Sequence, residues 1–258
     1  MIVFGEKQKN TIKAPFDYTL EVNEGTPRSG KTTCGVFRYA YYLTITPDEN
    51  HLVVAYNQEQ AYRLIVESDG FGLKHIFGDL CQTKHDDNGD HLVIHTPNGI
   101  KKVYYKGGGK ADSHKAITGM SLGSVVFCEI NLLHMDMIQE CFRRTFAAKM
   151  RYHLADLNPP APNHPVIKEV FEVQKTRWQH WTIHDNPILT EERRKSKWLG
   201  PSLSLTLRAA PATTVVSAIP LKGISSSRPA LCNSSYLNAR GSSSADGTFA
   251  GIFIISFL

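Results

Sequence analysis

The chain of 258 residues has few of the features that mark membrane, secreted or zinc-binding proteins. No apolar run reaches the roughly 20 residues of a transmembrane helix, and residues 1–13 lack the apolar core of a secretory signal. Its five cysteines are scattered and never spaced C-x-x-C, which argues against a disulfide framework and a cysteine zinc site. These absences favour a protein of a reducing cytoplasm.

Charge is scarce in the last quarter of the chain. Residues 199–258 hold four basic residues, twelve serines and a single acidic residue, Asp246. Residues 1–198 carry the other 25 of 29 basic and 23 of 24 acidic side chains, so this part is nearly neutral. A basic surface for nucleic acid would therefore have to be local.

Neither helical nor strand periodicity persists through the end of the chain, and two interpretations fit. One is a linker over 191–204 followed by an atypical Ser/Ala-rich tail over 205–258 that ends in a short strand. The other is translation out of frame after an insertion or deletion in the gene. In both interpretations the foldable domain covers residues 1–190.

Strands and helices alternate along that domain. Short apolar or alternating runs predict strands at 18–23, 51–56, 124–128, 152–156 and 178–183. Helical spacing predicts helices at 31–43, 58–68 and 133–149, and a hairpin is expected where 91–95 and 101–105 flank Thr96-Pro-Asn-Gly99. The alternation predicts an α/β fold with a mostly parallel central sheet flanked by helices.

A phosphate-binding motif lies between the first predicted strand and helix. Gly25-Thr26-Pro27-Arg28-Ser29-Gly30-Lys31-Thr32, followed by Thr33, matches the P-loop pattern G-x-x-x-x-G-K-[ST]. Gly25 and Gly30 are expected to let successive N–H groups turn toward a phosphate. Lys31 offers a charge to the β- and γ-phosphates, and Thr32 offers a hydroxyl to Mg²⁺. The motif predicts binding of ATP and Mg²⁺ at the positive end of a helix.

Two residues are candidates for catalysis. Arg28 lies inside the loop, where it would act on charge developing at the γ-phosphate unless it is a solvated surface arginine. Glu129 follows an apolar strand and is either a general base for water or an ordinary strand-end glutamate. Cys128 stands where a metal-side aspartate is usual, and cysteine is a poor partner for Mg²⁺.

Four segments together resemble the ATPase domain of phage terminase large subunits, the motors that push DNA into capsids. They are the P-loop segment 24–33, the stretch 117–132 that contains Glu129, His153-Leu-Ala-Asp-Leu-Asn-Pro159, and Trp181-Thr-Ile-His-Asp-Asn-Pro-Ile-Leu189. The order and spacing of all four are more specific than the P-loop alone. The resemblance covers residues 16–190.

The resemblance implies a P-loop NTPase of the ASCE type that hydrolyses ATP to translocate double-stranded DNA. It implies a homo-oligomeric ring, a capsid portal and a terminase small subunit as partners, and the cytoplasm of a host cell as location. Lys31 and Thr32 would hold ATP and Mg²⁺, Arg28 would act on the γ-phosphate and Glu129 would activate water. Asn158, with Asp156, would sense the γ-phosphate and relay hydrolysis to DNA movement.

Other interpretations stay open at this point. Asn158 and Asp156 also fit a proline-terminated turn with a capping asparagine, and Gln8 is an upstream candidate for adenine recognition. Terminases carry an RNase H-like nuclease domain whose acidic residues bind two metals, so a tail with Asp246 alone predicts no cleavage of DNA by that mechanism. The rival functions are a helicase-like P-loop ATPase and, because of Cys128, a defective nucleotide-binding fragment.

The remaining polar clusters have simpler interpretations. The histidines at 51, 75, 85, 91 and 95 match no compact set of metal ligands and are predicted to lie on the surface. A lysine- and tyrosine-rich stretch fits either a DNA track or a hairpin edge protected from aggregation: Lys101, Lys102, Tyr104, Tyr105, Lys106 and Lys110. The runs 140–144 and 191–195 fit solvated helix faces with i,i+4 pairs, or contacts of Arg143, Arg144, Arg193, Arg194 and Lys195 to phosphates or a neighbouring subunit.

Overall fold

The computed structural model describes residues 3–195, and their side chains as far as residue 193. The predictions for the linker, the tail and nuclease activity concern residues that lie almost entirely outside this part of the chain. Within it, the strands are β1 (Leu20–Gly25), β2 (Asn50–Ala55), β3 (Cys81–Asp86), β4 (Gly89–Thr96), β5 (Gly99–Gly107), β6 (Ser124–Phe127), β7 (Tyr152–Leu157) and β8 (Thr176–Trp181).

The strands form one sheet in the order β3-β4-β5-β2-β6-β7-β1-β8. In this order, every neighbouring pair from β5 across to β8 is parallel. The pairs β3–β4 and β4–β5 are antiparallel. This sheet confirms the predicted α/β fold with a mostly parallel sheet.

The helices are α1 (Glu6–Lys13), α2 (Lys31–Ile45), α3 (Gln58–Ala61), α4 (Leu73–Phe77), α5 (Met135–Arg144) and α6 (Glu191–Lys195). A π-helical stretch, Tyr62–Glu67, continues α3. None of the helices described is both long and apolar enough to cross a membrane. The helix predicted over 133–149 is shorter than expected. The elements α1 and β3 were not predicted because their sequences are mostly polar, and α4 was not predicted because its five residues are too few to show periodicity.

Helices cover both faces of the central sheet. One core cluster joins α2 to Val53, Val126 and Leu154, and the other joins α5 to Leu52 and Phe127. Residues of one strand thus alternate between two buried faces, which is why β2 and β6 are almost continuous apolar runs.

The predicted hairpin between β4 and β5 is confirmed. The two interpretations of its lysines and tyrosines, an exposed sheet edge or a DNA track, are wrong for Lys101, Tyr104 and Tyr105. β5 lies between β4 and β2, while β3 is the edge strand. Lys101 is buried, and its Nζ donates to the carbonyls of Thr46, Asp48 and Asn98. Tyr104 and Tyr105 are buried as well, so they cannot stack on bases.

Two of the five histidines were wrongly predicted to lie on the surface. His51 is buried and its Nδ1 lies 2.9 Å from Ser124 Oγ, and His91 is buried against the Tyr104 ring. Burial lowers the pKa of His51 to about 3, so the ring stays neutral at physiological pH. The other three histidines are exposed as predicted.

A buried ion pair ties α2 to β1. The Arg38 guanidinium is fully buried and bonds both carboxylate oxygens of Glu21, at 2.6 and 3.1 Å. It also donates to the carbonyls of Ile12, Ala14 and Pro15, at the end of α1. Tyr152 OH on β7 donates to Glu21 Oε2 at 3.0 Å. The carboxylate and the guanidinium are therefore almost fully paired inside the core.

Arg38→Leu should destabilise the protein by about 3–5 kcal/mol, because it leaves the buried Glu21 carboxylate with the longer, 3.8 Å contact to Arg177 as its remaining ion pair. Urea unfolding of the variant measures this loss. Adding Glu21→Leu should recover part of it, and Arg63→Leu, at an exposed position, should stay within about 0.5 kcal/mol of wild type. A single Arg38→Leu change with wild-type stability would contradict this account.

Close approach of β8 explains the glycine at the end of β1. Gly25 pairs with Trp181 in the parallel register, and a Cβ at position 25 would overlap the Trp181 carbonyl. Gly25 is not among the glycines with positive φ. The expectation that Gly25 supplies a special turning angle is therefore wrong, and its requirement is space.

Gly25→Ala should cost about 1–3 kcal/mol of stability, because β8 must move away from β1 to admit the methyl group. The free energy of unfolding of the full chain measures the cost. Gly5→Ala is the matched control, because a Cβ there meets only ordinary van der Waals contacts. Equal free energies of unfolding for the two variants would show that β8 can move away from position 25 without loss of stability.

Candidate active site

The P-loop connects the carboxyl end of β1 to the first turn of α2. Gly30 adopts a left-handed conformation, φ +83°, and α2 begins at Lys31. No side chain of the described residues caps this helix, so its first N–H groups remain available to an anion. Within the same part of the chain, the buried hydroxyls of Thr26 and Ser29 also have no hydrogen-bond partner.

Residues outside the motif hold the loop from two sides. Arg28 has an exposed side chain and a left-handed backbone, φ 64°, and its carbonyl accepts a hydrogen bond from Asn186 Nδ2 at 2.7 Å. Gln8, on α1, is buried; its Nε2 lies 3.4 Å from the Gly30 carbonyl and its Oε1 accepts from the Gly5 N–H at 2.9 Å. Recognition of adenine by Gln8 and action of Arg28 on the γ-phosphate stay predictions.

Lys31 points to the neighbouring strand end. Its side chain is buried, and Nζ donates to Asn158 Oδ1 at 3.0 Å. Burial lowers the pKa of Lys31, and the nearby carboxylates of Asp156 and Glu129 oppose that shift. Because the buried Lys31 ammonium has already lost much of its hydration, it gives up little more water when phosphate oxygens bind it.

Asp156 connects the P-loop to Glu129. Its Oδ2 accepts from Thr32 Oγ1 at 2.7 Å, and its Oδ1 accepts from the Glu129 backbone N–H at 2.8 Å. The structure thus brings together the residues predicted for the nucleotide, for water activation and for coupling: Lys31, Thr32, Glu129, Asp156 and Asn158. Their chemical roles stay predictions.

Glu129 is half-buried at the end of β6. Its backbone is left-handed, φ 50°, and its Oε2 accepts from Gln60 Nε2 at 3.2 Å. Gln60 lies on α3, directly after β2, which is the parallel neighbour of β6. Neither Gln60 nor Asn186 was predicted; the position of Gln60 after a predicted strand is the one signal that could have indicated it.

Cys128 is fully buried beside this group. Burial raises the pKa of the Cys128 thiol, and Asp156 and Glu129 raise it further, so the group stays protonated. A buried neutral thiol does not supply the negative charge that an aspartate at this position would supply.

The residues present fit a magnesium ion only together with a nucleotide. No group of three or more His, Cys, Asp or Glu residues within the described part of the chain could hold a metal ion. The Thr32 hydroxyl and the Asp156 carboxylate lie together at the N-terminus of α2, and both are oxygen ligands suited to Mg²⁺. The remaining ligands would have to come from phosphates and water.

The acidic and basic side chains at the end of α5 pair with one another. Glu140 bonds Arg143 at 3.2 Å and Arg144 at 2.6 Å, which confirms the expected pair between positions 140 and 144. Glu140 is itself buried. Arg143, the more exposed of the two arginines, and Arg193 stay candidates for contact with phosphates or another subunit, while the side chains of Arg194 and Lys195 lie outside the described residues.

Comparison with known proteins identifies the relatives of this domain. The model of the family described as terminase large subunit, T4likevirus-type, N-terminal, matches residues 24–213. A search of curated proteins found no match at the required significance.

Three solved structures of the large terminase from the thermophilic bacteriophage D6E have the same fold. One matches with a TM-score of 0.65 and 20% identity over 75% of this chain and 49% of its own. The complex with ATP-gamma-S gives 0.62 and 19%, over 74% and 47%, and the complex with ADP gives 0.63 and 19%, over 74% and 48%. This chain therefore spans about half the length of those proteins.

The family match covers more than half of the chain and includes the P-loop, Glu129 and Asn158. The chain belongs to the N-terminal family of T4likevirus-type terminase large subunits.

Proposed function

We propose that this domain binds ATP with Mg²⁺ and hydrolyses it to drive double-stranded DNA into a viral capsid. The observation that carries the proposal is the hydrogen-bonded connection from Thr32 through Asp156 to Glu129, which joins the P-loop to a carboxylate on another strand. Family membership supports the DNA-packaging context. A ring of several copies, a capsid portal and a terminase small subunit belong to the same proposal.

The triphosphate binds at the start of α2. Uncapped N–H groups and the helix dipole attract its oxygens, and the Lys31 ammonium neutralises charge on the β- and γ-phosphates. The Thr32 hydroxyl would help to hold Mg²⁺, which would supply charge stabilisation to the phosphates. The hydrogen bond to Asn158 Oδ1 holds the Lys31 ammonium beside the end of β7.

Glu129 accepts the proton from the attacking water. Gln60 donates to one of its carboxylate oxygens and fixes the orientation of the group, which leaves the other oxygen for water. Such a base typically contributes about 10²–10⁴-fold to the rate. Arg28, exposed at the tip of the loop, stabilises charge developing on the γ-phosphate.

Asn158 and Asp156 relay the state of the nucleotide to the sheet. Each contacts a P-loop side chain, and both lie at the end of β7. A change in phosphate contacts at Lys31 or Thr32 would therefore alter the hydrogen bonds that hold β7 and Glu129. This route gives hydrolysis a direct connection to movement of DNA-binding surfaces.

Lys31→Ala should abolish ATP binding and turnover, because it removes the charge that the triphosphate requires. Glu129→Gln should keep ATP binding but lower phosphate release by about 10²–10⁴-fold, because an amide cannot take the proton. Binding of a fluorescent ATP analogue and release of phosphate, with double-stranded DNA added, measure the two effects. Lys84→Ala, on the exposed part of β3, should leave both unchanged.

Two results would favour the rival functions. ATP binding without any phosphate release by the wild-type protein, even with DNA and portal, would indicate a defective nucleotide-binding fragment, to which the neutral Cys128 points. ATP-dependent unwinding of a partial duplex without capsids would indicate a helicase-like ATPase. Equal turnover of the wild type and Glu129→Gln would remove the role assigned to Glu129.

A further inference from the structure

Cys128 leaves the end of β6 without the negative charge that a nucleotide-bound Mg²⁺ requires nearby. The thiol is fully buried, and soft sulfur is a poor ligand for a hard cation. The carboxylate that replaces this charge must come from another residue at the same edge of the sheet.

The register of β6 and β7 identifies a residue in an equivalent place. Phe127 pairs with Ala155, so the next residues, Cys128 and Asp156, are lateral neighbours on adjacent strands. Cys128 faces the α2 side of the sheet, as does Leu154. Asp156 comes two residues after Leu154 and points to the same side, because side chains alternate along a strand.

Asp156 is also aimed at the P-loop hydroxyl. Its Oδ2 accepts from Thr32 Oγ1 at 2.7 Å, and the threonine or serine of a P-loop is the side chain that binds Mg²⁺. Its Oδ1 is held by the Glu129 N–H at 2.8 Å, so the carboxylate cannot swing away freely. One oxygen is thus anchored to β6 while the other faces the first turn of α2.

We propose that Asp156 on β7 supplies the carboxylate for the magnesium ion of bound ATP, in place of an acidic residue at position 128. The proposal rests on the proposed function, because it requires a nucleotide at the P-loop. Since the described residues contain no group that could hold a metal alone, the ion should bind with the nucleotide and not before it. Asp156 thereby combines a role in metal binding with its contact to Glu129.

The test measures how much a divalent metal tightens nucleotide binding by the full chain, independently of turnover. The affinity for a fluorescent ATP analogue is determined in EDTA, in Mg²⁺ and in Mn²⁺, and Mn²⁺ binding is followed by electron paramagnetic resonance with and without ATP-gamma-S. Asp156→Asn is the informative variant. Its amide can keep both hydrogen bonds, accepting from the Glu129 N–H and donating to Thr32 Oγ1, while the charge is lost.

Asp156→Asn should bind nucleotide in EDTA at least as tightly as wild type, because a negative charge beside the triphosphate is removed, but lose about 10- to 100-fold of the tightening by metal. Cys128→Asp in the Asp156→Asn background should restore the tightening, because the new carboxylate lies on the neighbouring strand and the same face. Circular dichroism confirms that each variant is folded.

The proposal would be overturned if metal tightened nucleotide binding by Asp156→Asn as much as it does by the wild type. It would also be overturned if Asp156→Asn lost as much nucleotide affinity in EDTA as it does with metal present. Binding of Mn²⁺ by the wild type without nucleotide would also contradict it. Failure of the wild type to bind the ATP analogue under any condition, with Lys31→Ala behaving identically, would instead refute the proposed function itself.

Discussion

Parallel pairing of β7 with both β1 and β6 is the constraint on which the whole site depends. Ala155 pairs with Val22 on one side and with Phe127 on the other. Three strands therefore end at the same level of the sheet, and the chain that follows each of them meets the other two. The P-loop after β1, Glu129 after β6 and Asp156 on β7 are joined by contacts that span 27 to 124 residues of sequence, and this register brings them together.

The sequence located the parts of the site that are local in the chain, whereas it named Asp156 and Asn158 only through the family resemblance and gave none of the contacts that depend on strand order. The P-loop is recognisable because its glycines, lysine and threonine are contiguous, and Glu129 because it ends an apolar run. The contact of Asp156 with Thr32 depends on β7 lying between β1 and β6, which no short pattern records. Lys101 and His51 were misplaced for the same reason, because each is buried against a partner that is distant in sequence, the Thr46 carbonyl for Lys101 and the Ser124 hydroxyl for His51.

Two of the four described non-glycine residues with positive φ belong to the candidate site, and the other two, Ser68 and Asp69, follow the π-helical stretch. Arg28 and Glu129 are non-glycine residues with positive φ, a conformation that costs roughly 1–3 kcal/mol unless the surroundings enforce it. Each is held by a polar side chain from another segment: Asn186 donates to the Arg28 carbonyl, and Asp156 accepts from the Glu129 N–H. These two hydrogen bonds hold Arg28 and Glu129 in the left-handed conformation although neither residue is glycine.

The hydrogen bond between Thr32 and Asp156 does not compete with metal binding. A threonine hydroxyl has one proton and two lone pairs, so Thr32 can donate to Asp156 while a lone pair faces a cation. Oδ2 of Asp156 likewise keeps a second lone pair, and its Oδ1 is already engaged by Glu129. Both groups proposed to hold the ion are thus already oriented by hydrogen bonds within the protein. Under the proposal, the carboxylate that would hold the ion also accepts from the Glu129 amide, so the position of one side chain fixes both groups.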